Sequence, residues 1–181
     1  MKKLLCVLII SFTAFVSQAQ FSKATLQATG LTCAMCNNAI NKALKVLPFI
    51  KSVHSDIKNS AFNIVFKENE QVSIDAMKEA VEDAGFSVGT LKLTGNFEEV
   101  KIENDKHVVI GNTVFHFLNV EGQTLNGEKT VTITDKNFVT AKQFKKISAA
   151  TKMSCLQTGK AASCCLKDGV AADTRIYHVT I

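Results

Sequence analysis

The spacing of apolar residues between positions 22 and 95 changes in an order that strongly restricts the fold. Apolar residues recur at every second position, then at helical spacing, and then at every second position in two separate runs. Helical spacing returns once more, followed by a last alternating run. This order predicts strand, helix, strand, strand, helix and strand. We therefore predict an α+β fold with a ferredoxin-like βαββαβ domain over residues 20–95, in which two amphipathic helices cover one face of a four-stranded antiparallel sheet.

Local signals support the predicted helix ends in this part of the chain. Pro48 stops the first helix, because proline cannot continue a helical hydrogen-bond pattern. Ser73 is a good N-cap for the second helix, and Val72 and Met77 are placed to form a hydrophobic staple across it. Gly85 predicts the C-terminal end of the same helix.

Residues 96–181 have a different pattern, with several short β-type runs and one short amphipathic segment at residues 140–152. Gly111-Asn112 and Asn126-Gly127 are turn signals between such runs. We expect a separate small β-rich domain here, with an OB-like barrel as the suggested form. The predicted strands are 100–102, 107–110, 113–118, 130–134 and 177–181.

The first nineteen residues have the pattern of a secretory signal peptide. Lys2 and Lys3 precede an uncharged, mostly apolar run over residues 4–16, and small residues at positions 17 and 19 suggest cleavage before Gln20. A helix of the length of that run spans about 20 Å, less than the roughly 30 Å of a bilayer core. We therefore expect an exported protein, periplasmic or secreted, without stable membrane insertion after cleavage. An uncleaved membrane anchor is the alternative.

The charge of the chain argues against a nucleic-acid partner. The formal net charge is +5, and removal of residues 1–19 with their two lysines lowers it to +3. The charged residues are spread over both halves of the chain, and no basic stripe is interleaved with aromatic residues. Such a balance lacks the electrostatic footprint that nucleic-acid binding requires.

The cysteines are distributed unevenly, and their distribution directs the functional interpretation. Cys6 lies in the predicted signal peptide, so five cysteines would remain in an exported chain. An odd number excludes a framework made only of disulfides within one chain. The five form a pair and a trio: Cys33 with Cys36, and Cys155 with Cys164 and Cys165.

Cys33 and Cys36 lie at a predicted junction between a strand and a helix, in Thr32-Cys33-Ala34-Met35-Cys36. At this spacing both sulfurs can face one small ion, and the helix N-terminus favours the thiolate form of Cys36. Thiolates select soft ions such as Cu(I), while zinc usually takes four ligands. The exposed position predicted for His54 makes it a poor candidate for a third ligand.

Other interpretations of the cysteine pair remain open from the residues alone. The pair could form a disulfide, one half of a structural zinc site, or a redox motif. Thioredoxin-like redox catalysis is disfavoured, because that fold requires a cis-proline facing the cysteines. The only proline in this chain is Pro48, at the end of the first predicted helix.

The segment Gly30-Leu31-Thr32-Cys33-Ala34-Met35-Cys36 resembles the G-M-T-C-x-x-C signature of heavy-metal-associated domains. These domains include small copper chaperones, N-terminal domains of copper-transporting ATPases and the periplasmic mercury-binding protein. The resemblance covers residues 22–95 and includes the late Glu82-Asp83-Ala84-Gly85-Phe86. It implies that Cys33 and Cys36 bind the metal. Thr32 would shape the loop, Leu31 would pack beneath it where the family usually has Met, and Phe86 would either shield the site or belong to the core.

The resemblance implies a non-enzymatic protein that binds a soft metal and transfers it by exchange of thiolate ligands. Cu(I) is the first expectation for the ion, with Hg(II), Zn(II) and Cd(II) as alternatives. The expected partner is a metal-transporting membrane protein or another metal-binding domain. Two other functions remain open: a thiol-disulfide redox protein that uses the same cysteine pair, and a docking module for a metal transporter. Met35 is exposed in the family and is expected to help dock a partner rather than bind the ion.

The trio Cys155, Cys164 and Cys165 has two interpretations. One is a structural disulfide in an oxidising compartment, and the other is a second soft-metal site that His178 or Met153 could join. Two further histidines, His107 and His116, lie in predicted strands and are expected to be ordinary surface or core residues.

Overall fold

The computed structural model describes residues 20–30 and 34–181. The predicted signal peptide, residues 1–19, lies outside the described residues, as do Leu31, Thr32 and Cys33. The described part forms one eight-stranded sheet with helices packed on it. The strands are β1 Gln20–Thr29, β2 Ile50–Asp56, β3 Ala61–Phe66, β4 Ser87–Ile102, β5 Lys106–Ile110, β6 Thr113–Phe117, β7 Gln123–Ile133 and β8 Ile176–Thr180. The helices are α1 Ala34–Lys45, α2 Ile74–Asp83, α3 Ala141–Ile147 and α4 Cys155–Thr158, with a 3₁₀ turn at Leu166–Asp168.

The first half of the chain has the predicted ferredoxin-like order. Its four strands lie in the order β2-β3-β1-β4, and each adjacent pair is antiparallel. The two helices contact each other, and their apolar stripes are buried against the sheet. Leu26 on β1, Leu44 on α1 and Met77 on α2 are all fully buried in this core. Burial of such side chains stabilises the fold by about 1.5–3 kcal/mol each.

The start and end of α2 confirm the sequence signals. The Ser73 hydroxyl oxygen accepts a hydrogen bond from the backbone N–H of Ala76 at 3.2 Å. Val72 packs against the core that contains Met77, as expected for a hydrophobic staple. Directly after the helix, Gly85 has a φ of +88°, which a residue with a Cβ adopts only at a cost.

The predicted OB-like barrel is not confirmed, because the strands after residue 96 extend the sheet of the first half. β4 continues unbroken across the expected boundary between residues 95 and 96 and pairs along most of its length with β7. Its alternation shifts at a bulge between Phe97 and Val100, where Glu99 has a φ of +52°. The full strand order is β2-β3-β1-β4-β7-β8-β6-β5.

The added strands bring distant parts of the chain together. β5 and β6 form a hairpin around Gly111-Asn112, and β8 lies between β6 and β7. β8 runs parallel to β6 and antiparallel to β7. Residues of β6 and β8 that face away from the main core pack under the segment 153–170, in a second cluster. Its buried apolar members are Val114, Cys155, Ala161, Cys165, Val170 and Ile176.

The helices after β7 are short. Thr140 caps α3 in a reciprocal capping box with Gln143, which confirms a helix in the predicted segment 140–152. The longest described helix is α1, with 12 residues. No helix among the described residues has the length and apolar character needed to cross a membrane.

Candidate functional site

The structure places Cys36 in the first turn of α1, as the sequence predicts. α1 begins at Ala34, so the Cys36 side chain lies where the helix has unpaired backbone N–H groups. The residue is half-buried. Cys36 is disulfide-bonded in this structure, and the described cysteines of the second half are free thiols. Metal binding by this residue therefore requires the reduced form. Cys33 lies outside the described residues, so its predicted role as a ligand stays a prediction.

Two apolar side chains lie near this helix start. Met35 is 83% exposed, which leaves its thioether on the surface. Phe86 is half-buried and packs against the main core. Its ring also lies beside Gly30, with Cδ1 3.9 Å from the place that a Cβ would take. Phe86 therefore connects the core to the beginning of the cysteine segment. The predicted support roles of Leu31 and Thr32 concern positions outside the described residues and stay predictions.

His54 lies on the exposed face of β2, opposite Asn63 of β3. This position agrees with its expected exclusion from the ligand set.

The trio of cysteines in the second half lies together. The sulfurs of Cys155, Cys164 and Cys165 are all within 4.8 Å of one another, and Cys164 Sγ is 3.5 Å from Cys165 Sγ. Cys155 and Cys165 are fully buried, and Cys164 is half-buried. All three are free thiols, so no disulfide joins them in this structure.

Cys155 also faces three histidines. The sequence suggested only His178 as a possible ligand and predicted that His107 and His116 are ordinary surface or core residues. His107 on β5, His116 on β6 and His178 on β8 are direct cross-strand partners. Cys155 Sγ lies 3.8 Å from His107 Nε2, 3.7 Å from His116 Nδ1 and 3.5 Å from His178 Nε2. The three imidazoles are buried, with exposed side-chain fractions of 0–1%. His178 is near the cysteines as suggested, while His107 and His116 are not ordinary strand residues.

A carboxylate holds each imidazole on the side opposite Cys155. In each pair a carboxylate oxygen accepts a hydrogen bond from one ring nitrogen, which leaves the other nitrogen directed at the sulfur. Such carboxylate–histidine pairs fix the tautomer and the orientation of the ring. The pairs are His107 Nδ1 with Asp168 at 2.7 Å, His116 Nε2 with Asp105 at 3.0 Å, and His178 Nδ1 with Asp135 at 2.6 Å.

Burial sets the protonation of the groups at the centre. Burial, together with the charges of the adjacent His178 and His107, lowers the pKa of His116 to about 4, although Asp105 acts in the opposite direction. Burial raises the pKa of the Cys155 thiol, with the neighbouring Cys165 and Cys164 acting in the same sense. At neutral pH the cluster is therefore a neutral thiol beside a neutral imidazole.

A network of charges connects this cluster to α2. The Arg175 guanidinium donates to both carboxylate oxygens of Asp75 on α2, at 3.0 and 3.1 Å. It also donates to Asp135, the carboxylate that holds His178, at 2.9 Å. Tyr177 donates its hydroxyl to Asp75 at 2.9 Å, and the guanidinium lies 4.0 Å from the centre of the Tyr177 ring. The histidine–cysteine cluster is thus positioned partly by the first half of the chain.

The sequence carries a signal for one part of this cluster, the pairing of His107 with His116. A two-residue turn at Gly111-Asn112 places His107 opposite His116, because residues equidistant from a hairpin turn are paired. The position of His178 could not be predicted from a turn, because the parallel pairing of β6 with β8 joins segments that are far apart in the chain.

Comparison with known proteins identifies the family of the first half of the chain. The heavy-metal-associated domain family matches residues 25–87. The copper chaperone CopZ of Staphylococcus haemolyticus is 35% identical over 63 residues, which make up 35% of this chain and 91% of the chaperone. The chain belongs to the heavy-metal-associated domain family. The histidine–cysteine cluster lies beyond residue 87 and therefore outside the matched region.

The same segment is similar to parts of larger proteins. The probable copper-transporting ATPase HMA5 of Arabidopsis thaliana is 34% identical over 83 residues, which make up 46% of this chain and 8% of that protein. The match therefore spans only a small fraction of the ATPase. Among solved structures, a CopZ metallochaperone is 27% identical, with a TM-score of 0.34, and the match covers 37% of this chain and 98% of that chain.

Proposed function

We propose that this chain binds Cu(I) between Cys33 and Cys36 and passes the ion to another metal-binding protein. The observation that carries the proposal is the similarity to a copper chaperone along nearly the whole length of that chaperone. The position of Cys36 at the start of α1 supports it, because the helix N-terminus stabilises a thiolate there. Hg(II), Zn(II) and Cd(II) are the alternative ions, since each of them also accepts thiolates.

Transfer would proceed by exchange of ligands. A first thiolate of the partner attacks the two-coordinate ion and forms a three-coordinate intermediate, from which one of the two thiolates of Cys33 and Cys36 leaves. A second thiolate of the partner then attacks in the same way and displaces the other. The copper stays Cu(I) throughout, and the number of metal–sulfur bonds returns to two. The exchange requires no catalytic acid or base, so we propose a non-enzymatic protein.

The surface around the cysteine segment fits such an exchange. Met35 offers a flexible and polarisable contact surface next to the ligands. Phe86, beside Gly30, adds an uncharged apolar surface. We propose that a metal-transporting membrane protein, or another metal-binding domain, docks here.

We further propose that the protein acts after export, in the periplasm or outside the cell, once residues 1–19 have been removed. The apolar run and the small residues before Gln20 support this location. Mass spectrometry of the protein isolated from its source measures the N-terminus. A chain that begins at Gln20 supports export with cleavage, and a chain that still begins at Met1 contradicts it.

Copper transfer itself is tested with a separable acceptor. The reduced full chain is loaded anaerobically with one equivalent of Cu(I) and mixed with an apo acceptor domain that carries a thiolate pair and has a different charge. The two proteins are then separated by ion exchange, and copper is measured in each fraction. We expect copper in the acceptor fraction. Copper that stays entirely on this chain, with an acceptor of comparable affinity, contradicts a transfer function.

The same preparation separates metal transfer from redox catalysis. The reduced apo protein is assayed for turnover of a disulfide substrate in the presence of excess dithiol. The proposal predicts no turnover above that of the Cys36→Ser variant. Sustained turnover that depends on Cys36 indicates the alternative thiol-disulfide function.

A further inference from the structure

We propose a second metal site in the latter half of this chain, where Cys155, His107, His116 and His178 hold one Zn(II) or copper ion. The ligand atoms of Cys155, His107 and His116 lie within 4.8 Å of one another, and His178 contacts the same sulfur. The site is separate from the cysteine segment of the first half and lies outside the region that matches the heavy-metal-associated family.

Three imidazoles converge on a single thiol in this cluster. Each imidazole has one ring nitrogen bonded to a carboxylate, and its other ring nitrogen lies 3.5–3.8 Å from Cys155 Sγ, so three ring nitrogens converge on one sulfur. A thiol has one hydrogen and can donate to only one of them. Because His116 and His178 are fully buried, water cannot freely satisfy the others. A metal ion in place of the thiol hydrogen would bind the sulfur and the ring nitrogens at the same time.

The distances fit a coordinated ion. In a tetrahedral zinc site with Zn–S near 2.3 Å and Zn–N near 2.05 Å, the sulfur and a nitrogen lie about 3.5 Å apart. The observed separations from Cys155 Sγ are 3.5, 3.7 and 3.8 Å. The ligand atoms of Cys155, His107 and His116 already lie within 4.8 Å of one another, and His178 would move closer to the two other imidazoles to become the fourth ligand.

The three carboxylates match the surroundings of a metal site. Metal-binding histidines commonly donate their second ring nitrogen to a carboxylate, which orients the ring and makes it a better ligand. Here all three imidazoles have such a partner. Thiolate and imidazole together suit zinc and copper, while Mg(II) and Ca(II) prefer oxygen ligands.

A catalytic interpretation of Cys155, His178 and Asp135 fits the structure less well. The three side chains are arranged like a Cys–His–Asp triad, with contacts of 3.5 and 2.6 Å. Cys155 is 0% exposed, however, so a substrate carbonyl has no approach to its sulfur. A triad also needs one histidine, and two further imidazoles aimed at the same sulfur have no role in it.

The test uses the full chain with Cys33→Ser and Cys36→Ser, so that the first cysteine pair cannot hold metal. The reduced apo protein is titrated anaerobically with Zn(II), with Cu(I) under chelator competition, and with Co(II) as a spectroscopic probe. We expect one equivalent of Zn(II) or Cu(I) to bind. We also expect the intense visible absorption of tetrahedral Co(II) and a thiolate-to-cobalt charge-transfer band. The absence of tight binding by both Zn(II) and Cu(I) overturns the proposal.

Single substitutions in this background identify the ligands. Cys155→Ser should abolish the charge-transfer band, and His116→Gln should weaken metal binding by about tenfold or more. Asp168→Asn, which keeps the size of the carboxylate that holds His107, should cost about 10–100-fold in affinity. His54→Gln is the matched control, because His54 lies exposed on β2, and it should leave the affinity unchanged.

Two further variants keep the result decisive. Should His116→Gln not fold, His107→Gln on the edge strand β5 removes a ligand at a position that tolerates change more readily. Cys164→Ser tests the competing set of three sulfurs and should leave metal binding intact. Metal binding that survives Cys155→Ser, or that is lost in Cys164→Ser but kept in both histidine variants, contradicts the proposed ligand set.

Discussion

His116 and His178 are register partners on the parallel strands β6 and β8, with ring centroids 5.0 Å apart. Their pairing joins segments separated by most of the second half of the chain. Because side chains alternate along a strand, one register places both imidazoles on the face that the segment 153–170 covers. A shift of β8 by one residue would exchange His178 for Tyr177 or Val179 and remove it from Cys155. The contacts that hold this register therefore also hold the histidine–cysteine cluster.

Arg175, directly before β8, makes one such set of contacts, and its loss should destabilise the protein. Arg175→Gln removes the bidentate pair with Asp75 and leaves Asp135, with 8% of its side chain exposed, without its cationic partner. We expect the free energy of unfolding to fall by about 1–3 kcal/mol, less than for a fully buried pair because Arg175 and Asp75 are about one-third exposed. Urea denaturation measures the change. The control is Lys23→Gln, whose exposed pair with Glu128 should matter by less than about 1 kcal/mol.

The same network gives a pH dependence of stability with a definite sign. Burial raises the pKa of Asp75, but the hydrogen bonds and charge of Arg175 outweigh it and hold the pKa below its ordinary value of 3.8. The unfolded chain then binds more protons than the folded chain at acidic pH. The stabilisation is thus complete above the ordinary carboxyl pKa and is lost as the pH falls below it. Denaturation midpoints between pH 5 and 2.5 should fall steeply for the native protein and less steeply for Arg175→Gln. Parallel curves would contradict this assignment.

Gly85 should be needed for its backbone conformation rather than for space. Its φ is +88°, and a Cβ at this position would meet no atom within 4 Å. Gly85→Ala should therefore lower the free energy of unfolding by about 1 kcal/mol through backbone strain alone. Gly85→Asn should cost less, because asparagine tolerates this region better than alanine. Equal costs for the two variants would indicate a steric cause.

The Ser73 cap should contribute to stability by a measurable amount. Ser73→Ala removes the hydrogen bond to the Ala76 N–H and should cost about 1 kcal/mol in thermal or urea denaturation. Ser73→Asp should retain most of the stability, since its carboxylate can accept the same hydrogen bond and suits the helix dipole. A loss of the same size in both variants would mean that the hydroxyl has another role.

Met35 should affect copper transfer and not copper affinity. Its side chain is 83% exposed at the start of α1, and it is proposed to contact a docked partner. Met35→Ala should leave the Cu(I) affinity unchanged in chelator competition and slow the transfer of copper to the acceptor in stopped-flow measurements. A large fall in affinity would instead show that the thioether binds the ion.

The sequence predicted the first half well because its signals are local. The alternation around Leu26, the cap at Ser73 and the glycine at position 85 each depend on neighbouring residues, and the structure has all three. The length of β4 was not predictable in the same way. The bulge near Glu99 shifts the alternation of buried residues, so that one strand looks like two short runs separated by a break.

The candidate sites show the same difference between local signals and long-range packing. The predicted position of Cys36 at the start of a helix depends on a local change of periodicity, and the structure confirms it. The expectation for His107 and His116 was incomplete, because their proximity to Cys155 depends on how the segment 153–170 covers the sheet. No periodicity within either segment encodes that packing.

The most direct test of the proposed function is a Cu(I) competition titration of the reduced full chain under anaerobic conditions, beside the Cys33→Ser, Cys36→Ser double variant. The proposal predicts that the native chain tightly binds one more equivalent of Cu(I) than the double variant, while circular dichroism shows the same fold for both. Copper that still binds to the double variant through the histidine–cysteine cluster should disappear on the additional substitution Cys155→Ser. A double variant that binds as many equivalents of Cu(I) as the native chain, with the same affinity, would contradict the assignment of Cys33 and Cys36 as the transfer site.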